Sequence, residues 1–318
     1  MIQALFVLLL PFAAAAQYLA TWNDGASKSA IVSFVAESMT PGGKFFVQPE
    51  DRVAVFDFDG TLAVEWPVYA QLVYCADEVR SRVKAGGTEA EKALAQKLWA
   101  LPGDKLAGVD EPTEIALFEV AFSSATGEEN QSKARDWFFK ARHPSLRELR
   151  ARLLYAPMLD LVRFLQNAGY KTFIVSGSAS DFIRAVSEDL IGVPKEDVIG
   201  SELETRFVEG PPARVERQAG FTRWTNEQVK PLEIDRRVGR RPLMAFGNSD
   251  ADIPMLTYAT SGPRHGFGAI VRHDDAEREF AYDRKSPVGP LDKGLDMAAG
   301  RGWRVVSMKN DWNSIWSP

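Results

Sequence analysis

The sequence predicts an α/β fold in which a doubly wound parallel sheet carries an inserted helical domain. Apolar strand candidates alternate with amphipathic helix candidates along most of the chain, a pattern typical of a parallel sheet with helices on both faces. Residues 66–150 interrupt that alternation with helical patterns and few β-branched runs. Three apolar strand candidates run directly into polar residues. Because ligands bind beyond the carboxyl ends of such strands, we expect a functional site at that edge.

The first elements follow from local signals. Residues 22–39 have an amphipathic helix pattern that Asn23 or Asp24 can start, and residues 52–56 form a short apolar strand. The inserted block, called the cap below, contains further amphipathic segments at 114–122 and 133–142. Its joints are marked by the Gly-Gly pair at 86–87, by Pro102-Gly103 and by Pro112.

Strands and helices alternate again after the cap. The remaining predictions are a helix at 158–169 that ends at Asn-Ala-Gly, a strand at 171–177, a helix at 181–190, a strand at 197–203, a hairpin at 207–215 around Gly210-Pro211-Pro212, a helix at 225–238, and strands at 242–246, 268–273 and 303–308. We therefore predict a core in two parts, 17–65 and 151–318, separated by the cap at 66–150.

The first sixteen residues are set apart from this fold. Residues 4–16 read ALFVLLLPFAAAA, an uncharged apolar stretch that ends in small residues before Gln17. This anatomy is typical of a signal peptide, here spanning 1–16 with an Ala-x-Ala site at Ala14 and Ala16. The alternative is a short helix packed on the domain or anchored in a membrane. We predict export to the periplasm or the medium, and a cytoplasmic location if the segment is not a signal.

Composition excludes some functions. The 318 residues carry a net charge of −5 with mixed signs, so there is no basic footprint for nucleic acid. No internal apolar run is long enough to span a membrane, so we expect no membrane contact after signal cleavage. The single cysteine, Cys75, cannot form an internal disulfide and lies in an apolar helical pattern. The sequence leaves the oligomeric state open.

The strand VAVF runs into Asp57-Phe58-Asp59-Gly60-Thr61. Alternation along a strand places Asp57 and Asp59 on one face, where like charges repel unless a cation or a proton lies between them. Two further strands end in Ser176-Gly177 and in GNSDADIPML (247–256), and Lys230 lies between them in sequence. Two carboxylates, a Ser-Gly pair, a lysine and an acidic loop, in that order, form a specific constellation.

These residues resemble the four motifs of the haloacid dehalogenase superfamily of phosphotransferases. The segment VIGSELE (198–204) and the motif spacing are most similar to the phosphoserine-phosphatase-like branch. The resemblance implies a Rossmann-like core with a helical cap inserted after the first motif. It also implies an Asp57 nucleophile, an Asp59 general acid and base, and a charge-balancing Lys230. By the same resemblance Thr61, Ser176 and Gly177 would bind the phosphoryl group.

The resemblance further implies a Mg²⁺ cofactor. Its candidate ligands are Asp57, Asp59 through its main-chain carbonyl, and the fourth-motif residues Asn248, Asp250 and Asp252. The fourth motif departs from the family pattern, since relatives place Asp at the position of Asn248. Asparagine offers a carbonyl oxygen but no charge, so either Asn248 ligates weakly or Asp250 replaces it. Asp252 could instead orient Lys230.

We therefore predict a Mg²⁺-dependent phosphatase that hydrolyses a small phosphomonoester through an aspartyl-phosphate. The alternatives are a 2-haloacid dehalogenase, which needs neither metal nor Asp59, a phosphomutase, and a catalytically silent exported binding protein, which Asn248 would favour. Trp66, Tyr69 and Tyr74 could form an aromatic cage for a quaternary amine such as phosphocholine.

Overall fold

A computed structural model describes residues 19–99 and 103–317 of the chain. The predicted signal peptide lies outside these residues and stays a prediction. Among the described helices, none combines the length and the apolar character that a membrane crossing needs.

The core is an eight-stranded sheet. Its strands are β1 (Val53–Phe56), β2 (Lys171–Ala179), β3 (Val198–Val208), β4 (Arg214–Arg223), β5 (Met244–Gly247), β6 (Phe267–Asp274), β7 (Ala281–Tyr282) and β8 (Arg304–Ser307). The order is β4-β3-β2-β1-β5-β6-β7, with β8 also paired to β6. The pairs β2–β3, β1–β2, β1–β5, β5–β6 and β6–β8 are parallel, whereas β3–β4 and β6–β7 are antiparallel. The predicted α/β class is confirmed.

Helices cover both faces of this sheet. The helices of the described residues, those of the cap included, are α1 (Ala26–Met39), α2 (Ala70–Lys84), α3 (Glu89–Trp99), α4 (Glu111–Phe122), α5 (Gly127–Phe138), α6 (Ala156–Asn167), α7 (Ser180–Val186), α8 (Val229–Val238), α9 (Ile253–Thr260), α10 (Lys293–Arg301) and α11 (Met308–Asp311). In β1, Ala54 and Phe56 belong to one apolar cluster while Val53 and Val55 belong to the cluster on the opposite face. The continuous apolar sequence of this strand thus reflects burial on both sides.

The cap interval contains α2 to α5. Asp110 caps α4 by accepting from the amide of Thr113, and Thr126 with Glu129 forms a capping box at the start of α5. The β3–β4 hairpin, at one edge of the sheet, forms hydrogen bonds with the cap. The amide of Ser124 donates to the Arg217 carbonyl, and the amide of Arg217 donates to the Ala125 carbonyl, each at 2.8 Å. The cap boundaries of 66 and 150 remain a prediction.

Several predicted boundaries shift. Helix α1 begins at Ala26 after Gly25, which provides no side-chain cap, because Asp24 pairs with Lys28 and Asn23 donates to the carbonyl of Asn310. Helix α8 begins at Val229 rather than at Thr225, because both the amide and the hydroxyl of Thr225 are bonded to β3. The hairpin is longer than predicted, with ten residues in β4 alone.

Candidate active site

Five of the predicted site residues line one pocket at the carboxyl ends of β1, β2 and β5: Asp57, Asp59, Ser176, Gly177 and Lys230. The pocket encloses about 160 Å³ between the sheet and the cap. Its walls are formed by Asp57, Asp59, Glu65, Tyr69, Gln71, Leu72, Glu114, Ser176, Gly177, Ser178, Trp224, Asn226, Lys230, Ser249 and Ala251.

Lys230 links the first and fourth motifs. Its ammonium group lies 2.9 Å from Asp57 Oδ1 and 2.6 Å from Asp252 Oδ1, and its side chain is almost completely buried. Burial opposes the charge of Lys230, but the carboxylates of Asp252 and Asp57 more than offset it and raise the pKa. Lys230 is therefore a fixed cation beside the carboxyl group of Asp57.

Asp57 is a buried carboxyl group. Its amide donates to the carbonyl of Phe246 on β5 at 2.9 Å, which fixes the backbone where β1 ends. Burial and then the charge of Asp252 raise the pKa of Asp57 to about 7, although Lys230 opposes this shift. A cation in the pocket would favour the ionised form.

Asp59 lines the same pocket and leaves one oxygen free. Ser178 Oγ donates to Asp59 Oδ2 at 2.7 Å, whereas Oδ1 is buried without a hydrogen-bond partner among the described residues. Burial raises the pKa of Asp59 to about 6, against the hydrogen bond from Ser178 and the charges of Lys230 and Arg150. An unpartnered buried carboxyl oxygen is costly unless it carries a proton or meets a cation.

The second motif faces the pocket from β2. Ser176 Oγ accepts from the amide of Ser178 at 3.1 Å, and the carbonyl of Gly177 accepts from Ser201 Oγ at 2.7 Å. Sequence reasoning missed Ser178, although its position two residues after Ser176 on a strand was the available signal.

Thr61 does not face the pocket. Its side chain is fully buried, and its hydroxyl donates to Asn248 Oδ1 at 3.0 Å. The phosphate-binding role of Thr61 stays a prediction, and in the structure its hydroxyl positions the fourth motif.

The structure separates the fourth-motif acids. Asp250 lies outside the pocket walls, and its carboxylate accepts from the amides of Asp292, Lys293 and Gly294 at the start of α10. The metal-ligand role of Asp250 stays a prediction, and in the structure these bonds hold its carboxylate at the start of α10. Asp252 engages Lys230 through Oδ1, while its Oδ2 accepts from the amides of Asn248 and Ser249 at 3.0 and 3.1 Å. Asp252 thus acts on Lys230, the alternative that the sequence left open.

Asn248 contacts a carboxylate that follows the first motif. Asn248 Nδ2 donates to Glu65 Oε1 at 2.7 Å, and both side chains are almost fully buried. Tyr282 also donates to Glu65 Oε1, at 2.8 Å. Burial raises the pKa of Glu65 to about 8, against the nearby His273 and the bond from Tyr282.

The C-terminal segment supports the first-motif loop. His273 Nε2 lies 2.9 Å from the Gly60 carbonyl, and Nδ1 lies 3.2 Å from Glu279 Oε2. The carbonyl must accept, so Nε2 carries a proton.

The predicted aromatic cage does not form. Tyr74 is buried in the cap against Phe122, Trp137 and Phe182, and Trp66 stacks on Tyr282. Only Tyr69 of the three predicted aromatics lines the pocket, where Trp224 is a second aromatic wall. The helical spacing that places Tyr74 in α2 therefore reflects packing of the cap core and not a ligand cage.

The chemistry of the pocket fits a hard cation. Asp57 and Asp59 present oxygen donors, and Asp59 Oδ1 is buried without a partner. Among residues 19–99 and 103–317, no three Asp, Glu, His or Cys side chains converge on one metal position. Mg²⁺ keeps several waters and needs only one or two protein carboxylates. Asp57, the main-chain carbonyl of Asp59 and Asn248 Oδ1 could hold it.

Comparisons with known proteins address the fold and the family. The chain is similar to the crystal structure of a conserved functionally unknown protein from Anaerococcus prevotii DSM 20548, at 15% identity and a TM-score of 0.56, covering 91% of this chain and 94% of that one. This likeness shows the fold. It is also similar to a protein with unknown function from Bordetella pertussis Tohama I, at 17% identity and a TM-score of 0.48, covering 80% of this chain and 97% of that one.

A phosphoserine phosphohydrolase-like protein from Francisella tularensis subsp. tularensis SCHU S4 is also similar, at 15% identity and a TM-score of 0.38, covering 70% of this chain and 88% of that one. No curated protein matches the sequence. The family model for haloacid dehalogenase-like hydrolases matches residues 54–257, which include Asp57, Lys230 and the fourth motif. The chain therefore belongs to the haloacid dehalogenase-like hydrolases and is a hydrolase.

Proposed function

We propose that this hydrolase is a Mg²⁺-dependent phosphatase that acts on a small phosphomonoester. The observation that carries the proposal is the pairing of unlike carboxyl groups in one pocket. Asp57 is held against the Lys230 ammonium at 2.9 Å, while Asp59 accepts from Ser178 through one oxygen and keeps its other, buried oxygen free. A nucleophile and a proton donor need such different surroundings.

In the first step, an Asp57 carboxylate oxygen bonds to phosphorus as the bond from phosphorus to the leaving oxygen breaks. Asp59 gives its proton to that leaving oxygen, so the alcohol departs neutral. In the second step, Asp59 takes a proton from water, whose oxygen displaces Asp57 and releases inorganic phosphate. Lys230 balances charge at Asp57 throughout. When bound, Mg²⁺ would neutralise negative charge and hold the phosphoryl oxygens.

The cap side of the pocket supports a substrate with a positively charged end. Glu114 of α4 lines the pocket, and its carboxyl group forms no hydrogen bond or ion pair among the described residues. Burial raises the pKa of this group, with Glu111 adding to the shift. Tyr69 and Trp224 offer aromatic surfaces nearby, which attract cations. We propose a phosphomonoester of an amino alcohol or a quaternary amino alcohol.

Phosphate release from a panel of esters, measured with Mg²⁺ and with EDTA, tests the reaction. We expect metal-dependent release by the wild type and none by Asp57→Asn. No release from any ester with any divalent metal would reject the phosphatase. Halide release from 2-haloacids would then indicate a dehalogenase, phosphoryl transfer without hydrolysis a mutase, and ligand binding without turnover a binding protein.

The substrate class has its own test. Glu114→Gln should raise KM for phosphocholine while leaving KM for glycerol phosphate unchanged. An equal change for both esters would reject the assignment of Glu114 to a cationic group.

We also propose that the protein is exported. The support is the apolar sequence of residues 4–16 and the small residues before Gln17. Secreted or periplasmic protein should begin at Gln17 on N-terminal sequencing. Recovery of the intact chain from the cytoplasm alone would reject export.

A further inference from the structure

Asn248 and Glu65 form a closed pair. Glu65 Oε1 accepts from Asn248 Nδ2 at 2.7 Å, while Asn248 Oδ1 accepts from Thr61 at 3.0 Å. When Glu65 is ionised it can only accept hydrogen bonds, so the amide nitrogen of Asn248 faces it. The orientation of Asn248 is thereby fixed from both ends.

Two glycines hold this pair in place. Gly60 has a φ of +73°, and a Cβ there would overlap Asn248 Nδ2 and lie 2.6 Å from Glu65 Cδ. Gly289 has a φ of +53°, and a Cβ there would overlap Glu65 Oε1. The backbone at Gly60 and Gly289 therefore packs directly against the two side chains, at positions where any other residue would place a colliding Cβ. The two side chains cannot move apart without disturbing the first-motif loop.

The pair lies beside the reacting groups. Glu65 lines the same pocket as Asp57 and Asp59, and its other close neighbours are Tyr282 and His273, whose rings stack with centroids 4.3 Å apart. Glu65 is thus an additional carboxylate at the edge of the cavity where Asp57 and Asp59 require positive charge.

We propose that Glu65, ionised when the cation binds, supplies the negative charge that position 248 lacks, so that Glu65 and Asn248 act as one unit toward the cation. The resemblance to the family leads us to expect aspartate at 248. An aspartate there would place two buried carboxylates at the present 2.7 Å hydrogen-bond distance, where they would repel. Position 248 is asparagine because residue 65 is glutamate. This inference rests on the proposed function, since it concerns the proposed Mg²⁺.

Exchange of the two groups provides the test. Mg²⁺ affinity is measured by titration calorimetry, and thermal stability is measured without metal, for Glu65→Gln, Asn248→Asp and the double variant. Glu65→Gln should weaken Mg²⁺ binding about tenfold or more. Above the Glu65 pKa of about 8, Asn248→Asp should lower the metal-free Tm, because it adds a second carboxylate beside the ionised Glu65. The double variant should recover both properties, since the amide introduced at position 65 can donate to the carboxylate introduced at position 248.

Glu111→Gln is the matched control, because it removes a carboxylate from the cap helix α4 at an exposed position outside the pocket walls. It should leave Mg²⁺ affinity unchanged. Wild-type affinity in Glu65→Gln, or a double variant that binds Mg²⁺ no better than Glu65→Gln, would overturn the inference and leave the proposed function intact. A wild-type chain that binds no Mg²⁺ would overturn both.

Discussion

Replacing Asp252 by asparagine should destabilise the protein and abolish turnover. Oδ1 of Asp252 faces the Lys230 ammonium at 2.6 Å, and Oδ2 faces two backbone amides and the Ser249 hydroxyl. The ammonium group and the two backbone amides can only donate hydrogen bonds. In either orientation, the side-chain nitrogen of the asparagine would therefore face another donor. The side chain is fully buried, so water cannot relieve the conflict.

The magnitude follows from these contacts. Breaking one side of a buried charge pair costs about 3–5 kcal/mol. Lys230 keeps its contact with Asp57 at 2.9 Å, so we expect the lower end, about 3 kcal/mol of unfolding free energy. Turnover should fall because Lys230 would then pair with Asp57 alone, and the lysine would lose the group that orients it.

Urea denaturation without metal and initial rates with Mg²⁺ measure both effects. Asp250→Asn is the matched control, because Asp250 belongs to the same loop but bonds the start of α10. Its side-chain nitrogen would replace the oxygen that accepts from the amide of Lys293, which should cost about 1 kcal/mol and leave activity close to wild type. The reasoning fails if Asp252→Asn is as stable as wild type, or if Asp250→Asn loses activity to the same extent.

Three further changes probe the site. Gly60→Ala should lower Tm far more than Gly302→Ala, because both glycines have positive φ but only a Cβ at position 60 would collide with Asn248 and Glu65. Equal losses of Tm would show that these two side chains can shift to accommodate the Cβ. Ser178→Ala should move the limb of the pH–rate profile that belongs to Asp59 to higher pH, since the lost hydrogen bond lowers the pKa of Asp59, and an unmoved limb would contradict this. Without metal, the free energy of unfolding should fall as pH rises from about 4, the unfolded carboxyl value, through about 6, 7 and 8 for Asp59, Asp57 and Glu65. The free energy of unfolding falls with rising pH because the folded state holds these protons more tightly than the unfolded state does. Glu65→Gln should flatten the plot of unfolding free energy against pH at its upper end, and a plot unchanged by that substitution would contradict the prediction.

The sequence predicted what depends on neighbouring residues. The apolar run of β1 and the acidic residues after it identified the end of a buried strand, and the order of the motifs led to the pocket. Spacing could not reveal contacts between distant segments. Asn248 and Glu65 are 183 residues apart, and Asp250 is 42 residues from the amide of Asp292 that it binds.

Side-chain direction was the other source of error. Tyr69 and Tyr74 lie at the start of one helix, yet the first faces the pocket and the second packs inside the cap. A single amphipathic pattern predicts which face is buried but not which neighbour it meets, because the cap core and the pocket lie on adjoining sides of α2.

The contacts that support the first-motif loop show how much of the chain contributes to the site. The family match ends at residue 257, but His273 and Tyr282 hold Gly60 and Glu65 from beyond it. The amide of Ala156 further donates to the Ile315 carbonyl at 2.8 Å, and Trp22 pairs with Trp312. A chain trimmed to 54–257 would keep all four motifs and lose the wall behind them. The segments on either side of the family match are therefore parts of the enzyme.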